Sequence, residues 1–188
     1  MATWVTHRVD IPKWLATSMG RLIAEQSDLE WQFEEVIRIL LETDIKRGRM
    51  VAVGMNLRGR LKLANNLILC HRATKPFAKA LNAIAKEAEK LKTFRDRLAH
   101  GAWGKIGPDW CVLSARGSRS IDATTVSRAY LPSREKMTPK LIAYYLRRVR
   151  TCRRDMRLLR ASLRAALPPS PHRSPEQHHQ SRPRRARP

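Results

Sequence analysis

Leu15, Met19, Leu22, Gln26, Leu29, Phe33, Val36 and Leu40 recur in alternating steps of four and three residues. That spacing lays them along one stripe of a helix, and the stripe needs other helices to cover it. Gln26 is its one polar member. Pro12 precedes the stripe and suits a first-turn position, where its missing N–H has no helical partner in any case. The same period returns in Leu57, Leu61, Ala64 and Ile68, and in Phe77, Leu81, Ile84, Ala88, Leu91, Arg95 and Leu98. It returns once more in Ile142, Tyr145, Val149, Cys152, Met156, Leu159 and Leu163, behind a Thr138-Pro139 helix start.

Between the third and fourth stripes the pattern changes to period two. Residues 110–115 and 120–130, bridged by Arg-Gly-Ser-Arg, are expected to form a β-hairpin. The basic, glycine-containing stretch 46–53 reads as a loop. Gly101, just past the third stripe, reads as a C′ residue in the left-handed conformation. The expected fold is all-α, an up-and-down bundle of four to five helices with a small β-hairpin before the last long helix. One domain spans 1–167, and 168–188 is a basic Pro/Arg/His-rich tail with no apolar period, expected to be disordered.

At 188 residues the chain has enough length for a core that needs no staples. Cys70, Cys111 and Cys152 have neither metal-ligand spacing nor the density of a disulfide framework. Neither cofactor nor metal is expected from the motifs. No apolar run approaches the ~20 residues of a membrane span, and the N-terminus lacks the apolar stretch of a signal peptide. A reducing cytoplasm is the expected compartment, with no membrane partner.

Lysine and arginine number 38 against 16 acidic residues, a net charge of +22. The tail supplies only +4 of it, from five arginines and Glu176. Such an excess attracts a polyanion, and nucleic acid is the usual one. Eight arginines between Arg147 and Arg164 surround the last seam, while Glu25, Asp28, Glu30, Glu34, Glu35, Glu42 and Asp44 crowd the second half of the first helix. Pairing of that acidic half with the basic last helix, within or between chains, is the competing use of the charge.

Arg95 occupies a position that its own helix reserves for apolar residues. A charge on a bundle seam costs several kcal/mol, order of magnitude ~3, unless it is paired or faces a wet cleft. An acid of the first helix is one expected partner, a cleft the other. His100 ends the same helix, where the negative end of the dipole favours imidazolium; a simple cap is the plainer role. Asp96 is placed to orient either group, or to pair with Lys92 or Arg97.

The stretch Phe-Arg-Asp-Arg-Leu-Ala-His-Gly-Ala-Trp, 94–103, resembles the R-(polar)-x3-H signature of the HEPN superfamily, small all-α domains of many bacterial and phage ribonucleases and defence toxins. Arg95, Asp96 and His100 match its three positions. The helix order over roughly 11–165 is similar too, with an aromatic-acidic first helix and a short β excursion before the last one.

The resemblance implies metal-independent cleavage of RNA by a homodimer, and, for a toxin or phage-defence effector, an antitoxin protein partner. Arg95, His100 and Asp96 would be its catalytic residues. Lys92, Arg97 and Lys105 would hold flanking phosphates, and Trp103 and Trp110 would stack on a base or, as is commoner, pack in the core. Two alternatives stay open: a HEPN-like bundle that binds without cutting, and a nucleic-acid-binding module that works through its Arg-rich last helix and tail.

Overall fold

The computed structural model describes residues 11–114 and 133–167. Its elements are α1 (Lys13–Leu40), α2 (Ile45–Ala52), α3 (Leu57–Cys70), a 3-10 turn (Lys75–Phe77), α4 (Ala78–His100), β1 (Ala102–Ile106), β2 (Asp109–Ser114), β3 (Ser133–Lys136) and α5 (Pro139–Ala166). The fold is an all-α bundle with a small antiparallel sheet between the fourth and fifth helices. None of these helices is long and apolar enough to cross a membrane.

The apolar members of all four stripes are buried in the core or packed against it. Every apolar member of the α1 seam except the half-buried Met19 lies in one continuous core with Leu61, Ala64, Leu81, Leu91, Val149 and Met156, and the polar Gln26 is buried along the same seam. Chain direction follows from the cross-links. Glu25 pairs with Arg150 and Glu35 with Arg160, so α1 and α5 run parallel. Phe94 stacks on Tyr145 while Ile84 lies beside Cys152, so α4 runs against α5. Arg60 meets Glu34 and His71 meets Glu42, so α3 runs with α1. With α2 folding back between α1 and α3, the helices alternate in direction and the sheet closes the end of the bundle where α4 stops.

Three expectations change. Residues 46–53 are not a loop: α2 begins at Ile45, capped by the Asp44 carboxylate, which accepts a hydrogen bond from the Arg47 N–H at 2.9 Å. Its glycine permits a close approach rather than breaking the helix, since a Cβ at Gly48 would stand 2.8 Å from Cγ of Arg38. Gly101 is extended, with φ −75° and ψ 152°, because the chain passes straight from α4 into β1. The hairpin lies earlier than expected. β1 pairs with β2 from Ala102↔Leu113 to Ile106↔Asp109, and the turn between them places Gly107 at φ +59°, a conformation glycine adopts without strain. β3 adds to the other edge of β2, from Cys111↔Lys136 to Ser114↔Ser133. The expected second strand at 120–130 and its Arg-Gly-Ser-Arg bridge lie outside the described residues, as does the tail.

Candidate functional site

Arg95 rises from the inward face of α4 toward α1. Its Nη2 donates to Oε1 of Glu30 at 2.9 Å, and its Nη1 lies 3.0 Å from Oδ1 of Asp96. The side chain keeps 23% of its surface exposed, so the seam position is paired and partly wet rather than dry. Glu30 also sits 4.0 Å from Arg60, which reaches Glu34 at 3.0 Å. Asp96 takes a second cation, Lys92, one turn back on α4. The cluster of Glu30, Glu34, Arg60, Lys92, Arg95 and Asp96 is balanced in formal charge, and one buried donor in it, Nε of Arg60, has no hydrogen-bond partner.

His100 is the last residue of α4 and is exposed. No hydrogen bond or ion pair engages its ring among the described residues. The helix end below it is closed by the Gly101 N–H donating to the Arg97 carbonyl at 2.9 Å. His100 is therefore not held as a side-chain cap, and its imidazole faces solvent.

The remaining residues divide. Arg97 donates to Oε2 of Glu135 on β3 at 2.7 Å, with its guanidinium 5.9 Å from the Phe94 ring centroid. It ties α4 to the sheet, and a phosphate there would have to displace Glu135. Trp103 is 9% exposed, and its indole N–H donates to the Leu98 carbonyl at 3.1 Å, which is a packing role. Lys105 is exposed, with its ammonium 5.1 Å from the ring centroid of the half-buried Trp110. Arg95, Asp96 and Lys92 are thus brought into one cluster, while Arg97 and Trp103 are engaged elsewhere.

Glu30 is the participant that residue patterns alone did not single out. The available signal was its place beside the seam residues Leu29 and Phe33, but seven acids in that half of the first helix compete for the role. Cys152 is no candidate nucleophile: burial, then the nearby Glu87 and Asp155, push its thiol up to about 12. Among the described residues no three histidine, cysteine or carboxylate side chains converge as a metal site requires.

Compared with family models, with curated proteins and with solved structures, the chain matches none of them.

Proposed function

We propose that this chain is a HEPN-like endoribonuclease, cleaving RNA without a metal ion at a site completed by a second copy of itself. The observation that carries the reading is the contrast between Arg95 and His100. One is a cation held in place by two carboxylates; the other is an exposed, unengaged imidazole at the end of the same helix.

Cleavage through the 2′-hydroxyl needs a base to take its proton, an acid to protonate the departing 5′-oxygen and a cation for the charge on the phosphorane. One chain offers a single suitable histidine. A two-fold axis beside the end of α4 would supply the second, so that one imidazole serves as base and the other as acid. Arginine has five N–H donors. With Nη2 on Glu30 and Nη1 beside Asp96, Arg95 keeps donors for a phosphate oxygen, and the two carboxylates fix its direction. In this reading Asp96 and Glu30 orient Arg95, and Lys92, which shares Asp96, is an auxiliary cation. The homodimer and an antitoxin protein that restrains the enzyme belong to the same proposal.

Purified protein should cut RNA in the presence of EDTA and leave 2′,3′-cyclic phosphate ends. His100→Ala should reduce the rate by at least ~100-fold, the lower end for a general acid–base group. Loss of activity with chelator, or full activity in His100→Ala, would refute the mechanism. A second reading, a bundle that binds nucleic acid without cutting it, is favoured by the charge balance around Arg95, since Glu30 and Asp96 already compensate the guanidinium. It predicts salt-dependent binding with no cleavage, unchanged by Arg95→Ala.

A further inference from the structure

A groove of about 530 Å³ runs between α4 and α5. It is lined by the buried Ile84 from α4 and Cys152 from α5 and by the exposed Ala83. On its rim stand Tyr144 and Arg147. These side chains lie outside the Arg95 cluster; Ile84 and Cys152 belong to the core, whereas Tyr144 and Arg147 are exposed and have no role in it.

Successive tyrosines on α5 divide the work. Tyr145 turns inward and stacks on Phe94, with centroids 3.5 Å apart and ring planes 5° from parallel. Tyr144 stands edge-on to Tyr145, at 5.4 Å and 80°, and leaves 46% of its surface exposed. The Arg148 guanidinium lies 5.2 Å from the Tyr144 centroid. Tyr144 is thus a positioned ring with free surface, at little remaining cost in side-chain freedom on binding.

Successive arginines divide in the same way. Arg148 is bound to Glu87 by two hydrogen bonds, of 2.6 and 2.8 Å, so its charge is met within the protein. Arg147 is exposed and has no ion pair among the described residues. Lys86 and Lys90 are likewise exposed on α4 without an ion pair. An apolar floor, a fixed aromatic ring and the uncompensated Arg147 beside it, with the lining carboxylates Glu87 and Asp155 already paired to Arg148 and Arg154, match a ligand that is planar and apolar in one part and anionic in the next.

We infer that the α4–α5 groove binds a single-stranded nucleic-acid segment, with a base on Tyr144 and an adjoining phosphate on Arg147. A strand meets both demands with each nucleotide, because every base offers a face for stacking and every linkage a charge. Duplex bases are stacked on one another and cannot reach the ring. Acidic peptides supply the charge without a planar group at each step. This surface does not depend on cleavage at His100.

The test uses the full chain carrying His100→Ala, with fluorescent RNA and DNA strands of about 12 nucleotides, within the usual site size, and the corresponding duplexes. Tyr144→Ala should weaken single-strand binding by about 10-fold, within the range for losing one base stack, while Tyr144→Phe keeps it. Arg147→Ala should weaken binding and lower the salt slope by about 0.7, the value for one phosphate on a single strand. Equal losses for RNA and DNA identify base and phosphate as the contacts, and a loss confined to RNA adds the 2′-hydroxyl.

Affinities within twofold of the parent in both alanine variants, each still folded, would overturn the proposal and leave the groove to a protein segment. If the protein carrying His100 never cuts RNA but Tyr144→Ala still weakens binding, the cleavage reading fails and the groove stands.

Discussion

On the side of α5 that packs against α1, Arg150 and Arg153 reach Glu25, Arg153 also reaches Asp28, and Arg160 and Arg164 converge on Glu35. On the outward side, Arg147 and Arg157 are exposed and have no carboxylate within ion-pair range among the described residues. One helix therefore carries two populations of the same residue. The first is part of the fold, holding two parallel helices in register through the largely sheltered Glu25 and Glu35 and the more exposed Asp28. The second is available to a ligand. A formal charge of +22 adds the two together and so overstates what a polyanion would meet.

Glu35 gives the sharpest means of breaking this comparison. Its side chain is 11% exposed and faces Arg38, Arg160 and Arg164. Removing it leaves the sheltered guanidinium groups of Arg38 and Arg160 without this carboxylate, so Glu35→Ala should lower the unfolding free energy by about 3 kcal/mol, read from urea titration. Unchanged stability would mean that the inward arginines differ from the outward ones in appearance only.

Gln26 lies on the same helix, 1% exposed, with neither amide atom hydrogen-bonded. Gln26→Leu should raise stability by about 1–2 kcal/mol, because an unsatisfied buried amide is removed and apolar contact added. Lower stability in thermal unfolding would show that this side chain has a partner in solution.

The direct comparison is between arginines. Arg153→Ala should cost about 1 kcal/mol, the upper end for a partly exposed pair, and the cost should shrink in high salt. Arg157→Ala should stay within about 0.5 kcal/mol, with any loss appearing in nucleic-acid binding instead. Equal stability effects would erase the two populations.

The smallest expected effect is at Asp44. The Arg47 backbone N–H is the main cause holding its carboxyl below the ordinary 3.8. Because the folded value is the lower one, the cap is fully present above 3.8 and is lost as pH falls through that lowered value. Amide exchange across α2 should therefore quicken in acid before the long helices respond, and simultaneous loss would contradict it.

The four long seams were legible because a period near 3.6, kept over several turns, has few other solutions. α2 was not, since its eight residues bury only Gly48 and Ala52 and draw no stripe. β1 was missed because Ala102 to Ile106 continues directly from a helix, and its strand character depends on pairing with β2. At the site, the misplacement of Arg95 could be read, and an acid of the first helix was among its expected partners. That the acid is Glu30 follows only from how α1 and α4 cross. Core packing was the commoner role expected of Trp103, and the structure bears it out; the hydrogen bond of its indole N–H to the Leu98 carbonyl could not be read from sequence.

Gly48 has a consequence beyond α2. The stem of Arg38 lies against it, so closely that a methyl group there would stand 3.0 Å or less from both Cβ and Cγ. The other end of Arg38 is anchored on Glu35, where Arg160 and Arg164 of α5 also arrive. Cβ and Cγ are the near end of that side chain and cannot swing aside cheaply, so volume added at position 48 would be transmitted along a single arginine into the junction of α1 and α5. The shortest helix of the bundle thereby acts as a spacer gauge for its two longest ones, and its setting is the width of one hydrogen atom.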